Sequence, residues 1–455
     1  MADTVSLPPA SSVPPILQGY HLVFRPTQFM EECAARLGSN FTLQLPRNRP
    51  VITFSDPDAI RQIFTGEPDH LYAGEGNRIL KPVVGPQSLL LLDGAKHKRD
   101  RKLMTPPFHG DRMRAYGDTM LAIMQRHIDE WPSGKVFKLH EAMQAVTLDV
   151  ILMTVFGLAE SDLPRFREAL EPFMAFGAQP WMLLFVDDYG ELQPLRLDDM
   201  LGPLSLRRRF LAQRTQVRQM LLGEIAMRRA NPGQDVLSML IQARFEDGSA
   251  MTDDELHDEM LTLLIAGHET TATSLTWTMM HLCQHPAVAD RIRAEAAALT
   301  GGHGPVPTDR VGELHYTLAA IKESLRRTPI LPIVMRRLQV PQTIGGYELP
   351  VGTDVAPNIY LTHHRADLWQ DPYSYKPERF LDFHPKPWHF LPFGGGHRTC
   401  LGMGFAYYEM KILLAEIFRR CDIRLAPGYT PRLTRRNITF APSCGTPVVM
   451  QARRT

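Results

Sequence analysis

Ten residues near the C-terminus, Phe393-Gly394-Gly395-Gly396-His397-Arg398-Thr399-Cys400-Leu401-Gly402, dictate much of what must surround them. Apolar residues at helical spacing follow (Phe405, Ile412, Leu413, Ile417), so Cys400 sits at the N-terminal end of a helix predicted over Gly402–Cys421. Unpaired backbone N–H groups and the positive end of the helix dipole stabilise a thiolate there, and glycines let the backbone approach the sulfur closely enough to hydrogen-bond it. A lone buried cysteine usually packs as a small hydrophobe. Embedded in these ten residues, Cys400 reads instead as a metal ligand.

A thiolate on haem iron donates electron density and favours O–O cleavage, and Arg398, two residues away, can reach a haem propionate. The stretch resembles the haem-binding signature of the cytochrome P450 family, Phe-x-x-Gly-x-Arg-x-Cys-x-Gly, at Phe393, Gly396, Arg398, Cys400 and Gly402. That resemblance implies a mainly α fold with small β-sheets (α+β), a helical prism around a buried haem b, with Cys400 on the iron and Phe393, Gly394, Gly402 and Ala266 beside the cofactor.

Other segments fit in order along the chain. Thr252-Asp253-Asp254-Glu255 has the form of a capping box and opens a predicted helix of about thirty residues that runs to about Gln284. In its middle, Ala266-Gly267-His268-Glu269-Thr270-Thr271 interrupts an apolar run at a cost in helix propensity. Small residues there allow a second helix to cross closely. The segment also resembles the family's oxygen-activation motif, in which Thr270 would hold a water or the iron's oxygen ligand while Glu269 feeds protons from solvent. Ala266 and Thr270, four apart, share one helix face.

Glu323 and Arg326 can pair on a helix ending before Pro329, a spacing common by chance, and Pro377-Glu378-Arg379-Phe380 matches the family segment whose arginine joins that pair in a buried structural network. One departure from the family pattern is Arg327, where many members carry leucine. Gly94 to Arg101 resembles the family's His-x-x-x-Arg helix, making His97 and Arg101 propionate ligands, with Arg336 a similar candidate. The lysines and arginines from Lys96 to Lys102 read as a solvated basic face, and less readily as a nucleic-acid patch, while Lys98, Arg99 and Lys102 suit docking of an acidic electron donor equally well.

Composition narrows the classes. With 455 residues, 44% hydrophobic, 22% charged and net charge +1, the chain is globular and carries no basic excess for nucleic acid. Five scattered cysteines do not form a disulfide framework, which favours a reducing compartment. No basic start precedes an apolar run, and no uncharged apolar stretch reaches the roughly 18 residues of a bilayer helix. The expectation is a cytoplasmic, monomeric protein with no membrane contact, built as a single domain over residues 1–455. Its first 25 residues, rich in proline, are expected to lie extended. Strands are expected at Phe41–Leu45 and Val51–Phe54, between Gln339 and Tyr360, and from Ile438 to Met450, with those at the two chain ends pairing.

The resemblance implies a monooxygenase that inserts one atom of O2 into an apolar small molecule of fatty-acid, terpene, steroid or polyketide type. No dinucleotide fingerprint or iron–sulfur cysteine cluster is present, so a separate ferredoxin or flavodoxin with its reductase is the expected electron source. The expected pocket includes Ile79, Val83, Phe176, Trp181, Ile265, Leu331, Ile333 and Phe440. Two alternatives stay open: a peroxide-driven haem-thiolate oxygenase or isomerase, and a non-enzymatic haem sensor or hydrophobic carrier.

Overall fold

The computed structural model describes residues 7–453 apart from 45–49, 109, 178, 180–185, 188, 194–197, 199–201, 203–204 and 437. Helices dominate, with small sheets at the margins. The central helix Asp253–Gln284 has 32 residues, about 48 Å at 1.5 Å per residue. Its capping box forms as the sequence predicts: Glu255 N–H donates to Thr252 Oγ1 (3.2 Å) and Thr252 N–H donates to Glu255 Oε2 (3.0 Å). In its hydroxyl-rich middle and end, Thr262, Thr270, Ser274, Thr276 and Thr278 each donate to the carbonyl four residues earlier, at 2.6–2.8 Å, which satisfies the hydroxyls within the helix. Apolar side chains around it, including Leu256, Met260, Leu264, Leu275 and Met279, join one core with the helices Asp111–Glu130, Leu139–Thr154 and Met403–Arg420.

A five-stranded sheet runs in the order β1 (Asn40–Leu43), β2 (Val51–Phe54), β8 (Asp354–Pro357), β5 (Arg336–Leu338), β3 (Leu71–Tyr72), and only β2 and β8 are parallel. The strands β4 (Val136–Lys138), β12 (Pro447–Arg453) and β9 (Cys421–Leu425) form a second sheet in that order. Two hairpins, β6 (Gln342–Ile344) with β7 (Tyr347–Leu349) and β10 (Leu433–Arg436) with β11 (Thr439–Pro442), complete the strands.

Two expectations are corrected. Residues Pro15–Phe24 form a helix, because Pro14 and Pro15 fall at its N-cap and first position, where a missing N–H costs nothing. The strands at the two chain ends do not pair with each other. All four residues of β2 are buried, so it takes a central place between β1 and β8. The last strand instead directs Val448 and Met450, both fully buried, into the helical core beside β9.

Candidate active site

The cysteine loop is closed by the Cys400 N–H, which donates to Phe393 O at 3.0 Å. The short turn Gly396–Arg398 precedes it and the helix Met403–Arg420 follows, so Cys400 lies just ahead of the helix. Gly396 has φ +67°, and a Cβ there would come 2.2 Å from Phe64 O; glycine is required on both counts. Phe393 packs edge-on against Tyr407 at 4.9 Å. Gly394 also has positive φ (69°). Burial raises the Cys400 thiol pKa, opposed by a hydrogen bond from Gly402 N–H and by the charge of Arg101. A bound cation would draw the sulfur towards the thiolate. The residue nonetheless has open surface while protein atoms crowd it, so that surface faces the interior. Ala266 is likewise exposed in the middle of the otherwise buried central helix.

Cations converge around the loop. His97 and Arg101 lie one turn apart on the helix Gly94–Met104. Arg101 Nη2 donates to Thr399 O (2.6 Å), and His97 lies 6.1 Å from the His397 ring. Arg336, at the start of β5, donates to Gly395 O (3.4 Å). Arg398 donates to Leu89 O (3.0 Å), to Leu92 O and to the carboxylate of Asp93. Burial, compounded by mutual repulsion, lowers His97 to about 3 and His397 to about 4, and holds Arg336 and Arg398 down at about 10. The Asp93 carboxylate is hydrogen-bonded within this group, and Arg398 Nε is buried with no hydrogen-bond partner among the described residues. Such a surplus of buried positive charge beside a cysteine fits a metal cofactor with carboxylate arms, as haem has.

On the central helix, Thr270 Oγ1 donates to Ala266 O (2.6 Å), on the face where Ala266 is exposed. Glu269 points elsewhere. Its Oε2 accepts from Gln144 Nε2 (2.6 Å), and its Oε1 lies 3.7 Å from His140 Nε2 and 3.5 Å from Arg436 Nε. Burial raises the Glu269 pKa against the pull of Arg436 and Gln144, and Oε1 has no hydrogen bond among the described residues. Gly267 serves packing: a Cβ there would meet Ile151 Cδ1 at 2.7 Å, the close crossing of a second helix.

Glu323 and Arg326 form a fully buried two-pronged ion pair (2.8 and 2.9 Å). Arg379 Nε donates to Glu323 Oε1 (3.2 Å), as does Lys376 N–H (3.0 Å). Arg326 also donates to the carbonyls of His363 (2.7 Å) and Pro372 (2.8 Å). The imidazole of His363 carries this network onward. One ring nitrogen lies 3.1 Å from Arg326 O, and the other accepts from Leu391 N–H (2.8 Å), two residues before the cysteine loop.

Among the expected pocket residues, Ile79, Phe176, Ile265, Leu331 and Ile333 are half-buried and Val83 is buried, with Phe176 stacked on Phe210 at 5.0 Å. Trp181 lies outside the described residues. Phe440 is corrected: it is fully buried in an N-terminal cluster with Phe29, Phe41 and Tyr360, and a side chain with no open surface cannot line a pocket. Of the cations expected to dock a donor, Arg99 is engaged with Asp100 and Glu255 and Lys102 with Glu246, while Lys98 is exposed. Asp93, His140, Gln144, His363, His397 and Arg436 escaped sequence reasoning. Their partners are mostly distant in the chain, and a single histidine or arginine carries no local signal.

The family profile "Cytochrome P450" matches residues 8–444. Cytochrome P450 135B1 of Mycobacterium tuberculosis is 35% identical over 458 residues, covering 99% of this chain and 93% of that protein. Cytochrome P450 138 of the same organism is 32% identical, covering 99% and 97%. The solved retinoic acid bound cyanobacterial CYP120A1 superposes with a TM-score of 0.84 at 25% identity, covering 99% of this chain and all of that one. The heme domain of cytochrome P450DA shares the fold, with a TM-score of 0.87 at 23% identity and coverage of 99% and 98%.

Proposed function

The chain belongs to the cytochrome P450 family of haem-thiolate monooxygenases, and from that premise we propose that it oxygenates an apolar small molecule, of fatty-acid, terpene, steroid or polyketide type. The observation that carries this substrate class is the set of half-buried apolar side chains Ile79, Ile265, Leu331 and Ile333, together with the exposed Ala266 within the core. The neighbour solved with retinoic acid bound, a largely hydrocarbon molecule with a terminal carboxyl group, adds support. In this reading the 455 residues act as one unit in the cytoplasm, supplied with electrons by a ferredoxin or flavodoxin and its reductase. Among the described residues no helix is long and apolar enough to cross a membrane.

Haem b suits the residues present: Cys400 would hold its iron, and His97, Arg101, Arg336 and Arg398 its carboxylates. When bound it supplies the reduction of O2 that delivers one oxygen atom to substrate and the other to water. The protein's part is to place protons. The Thr270 hydroxyl hydrogen is given to Ala266 O, which leaves the oxygen to accept a hydrogen bond from water. Burial raises the pKa of the Glu269 carboxyl against the pull of Arg436 and Gln144, which suits it to take up and release a proton. Arg436, 36% exposed, connects this carboxyl to the surface.

Two measurements test the reading. The carbon monoxide complex of the reduced wild type should show the red-shifted Soret band of a thiolate ligand, and Cys400→Ser should abolish it; a band indifferent to the substitution overturns the assignment. Thr270→Ala should divert electrons from product to peroxide or water, with product formation falling by roughly 100-fold or more. Unchanged peroxide-driven product formation, with no electron-driven turnover in either protein, would favour the peroxide-using alternative.

A further inference from the structure

Two crossing helices and a hairpin meet at Glu269. On the central helix Asp253–Gln284, Glu269 and Thr273 are one turn apart; on the helix Leu139–Thr154, so are His140 and Gln144. Gln144 Nε2 donates to Glu269 Oε2 (2.6 Å), while His140 Nε2 lies 3.1 Å from Thr273 Oγ1 and 3.7 Å from Glu269 Oε1. Arg436, the last residue of β10, completes the group. Its Nη1 is 3.1 Å from His140 Nδ1 and its Nε is 3.5 Å from Glu269 Oε1. Thr439 Oγ1, across the hairpin on β11, donates to Arg436 O (2.8 Å) and fixes the strand end that carries the guanidinium.

A guanidinium can only donate. His140 Nδ1 is therefore the acceptor of its pair with Arg436, and the imidazole hydrogen sits on Nε2, the nitrogen that faces both Thr273 Oγ1 and Glu269 Oε1. The ring is buried and neutral: burial lowers it to about 3, with Arg436 and His268 adding repulsion. Three side chains thus present hydrogens to the Glu269 carboxyl, Gln144 to one oxygen, His140 and Arg436 to the other. With its hydrogen on Nδ1 instead, the ring would turn a lone pair of Nε2 towards Oε1 and oppose the carboxylate. Among the described residues, the titratable and charged groups facing Glu269 are His140 from the neighbouring helix and Arg436 from the hairpin, with His268 of its own helix beside His140. Burial of the carboxyl pulls against them, so its proton is held between opposing influences.

We propose that Arg436 fixes the tautomer of His140 and that the two, as positioning residues, set the protonation of Glu269. The proposal rests on the reading of Glu269 as a proton donor given above. Its test uses the resting haem protein and needs no turnover, so it can fail while the carbon monoxide and Thr270→Ala results stand, or hold while they fail. The infrared C=O stretch of protonated Glu269, assigned by subtracting the spectrum of Glu269→Gln, is followed over a pH series. In Arg436→Leu the midpoint at which this band disappears should move up by about one pH unit or more. Arg436→Lys, which keeps a cation and a donor, should recover at least half of that shift. In protein carrying isotope-labelled histidine, with the ring signals assigned from His140→Gln, wild-type His140 should carry its hydrogen on Nε2 and Arg436→Leu should show both tautomers. The wild-type tautomer is read whether or not the leucine variant folds, and a thiolate-type carbon monoxide band in each Arg436 variant separates a shifted midpoint from a damaged fold. The inference falls if wild-type His140 carries its hydrogen on Nδ1, or if Arg436→Leu leaves tautomer and midpoint unmoved. It falls also if lysine recovers none of the shift.

Discussion

Arg326 spends every prong of its guanidinium on protein acceptors, all in a setting with no measurable exposure. Removing one partner of such a pair leaves a buried charge unanswered, so Arg326→Ala should lower unfolding free energy by about 3–5 kcal/mol; thermal and urea melts of the haem-loaded protein measure it. Because His363 relays the network to Leu391, His363→Ala should raise the fraction of protein whose carbon monoxide band lacks the thiolate position, while His363→Gln, which can still accept from Leu391 N–H, should recover part of it. The Glu323–Arg326 spacing was legible in the sequence but ambiguous, since the same spacing arises by chance. The histidine was illegible: its hydrogen bonds run to main-chain atoms 28 and 37 residues away, which no side-chain pattern encodes.

The central helix shows how one element answers two demands. Its exposed Ala266 and the Thr270 hydroxyl bonded to it serve the interior surface, while Gly267 yields to Ile151 on the neighbouring helix. Gly267→Val should cost about 1–3 kcal/mol through overpacking, part of it relieved by Ile151→Ala in the same protein. Nearer its start, burial raises Glu259 from an ordinary 4.5 to about 8, with Asp100 and Asp258 reinforcing the rise and Lys96 opposing it. The folded state therefore keeps a proton that the unfolded chain releases. Stability from this group is intact below about pH 4.5 and is lost as pH climbs towards 8, with a slope of at most about 1.4 kcal/mol per pH unit. Glu259→Gln should flatten that slope in urea titrations run from pH 5 to 8. Capping and periodicity made this helix readable to within a residue, because its signals are local. The N-terminal helix was missed because its prolines mask a start signal and its apolar face turns outward, against the usual pattern.

At the scale of the whole molecule, the family fold was readable from one loop, whereas the pairing of strands was not, because β2 meets β8 three hundred residues on and nothing near Val51 names that partner. The cluster of His97, Arg101, Arg336, Arg398 and His397 likewise joins distant parts of the chain. A ligand that brings negative charge to it binds the folded chain alone, so haem should raise the melting temperature of the protein, more than it does in Arg398→Ala. The consequence reaches the cell. A polypeptide that folds around three mutually repelling arginines, Arg101, Arg336 and Arg398, with the Asp93 carboxylate against one of them, is at the mercy of cofactor supply. In an iron-starved culture its messenger should persist while the chain itself is cleared by proteases, and adding a haem precursor should restore the protein without any change in transcription.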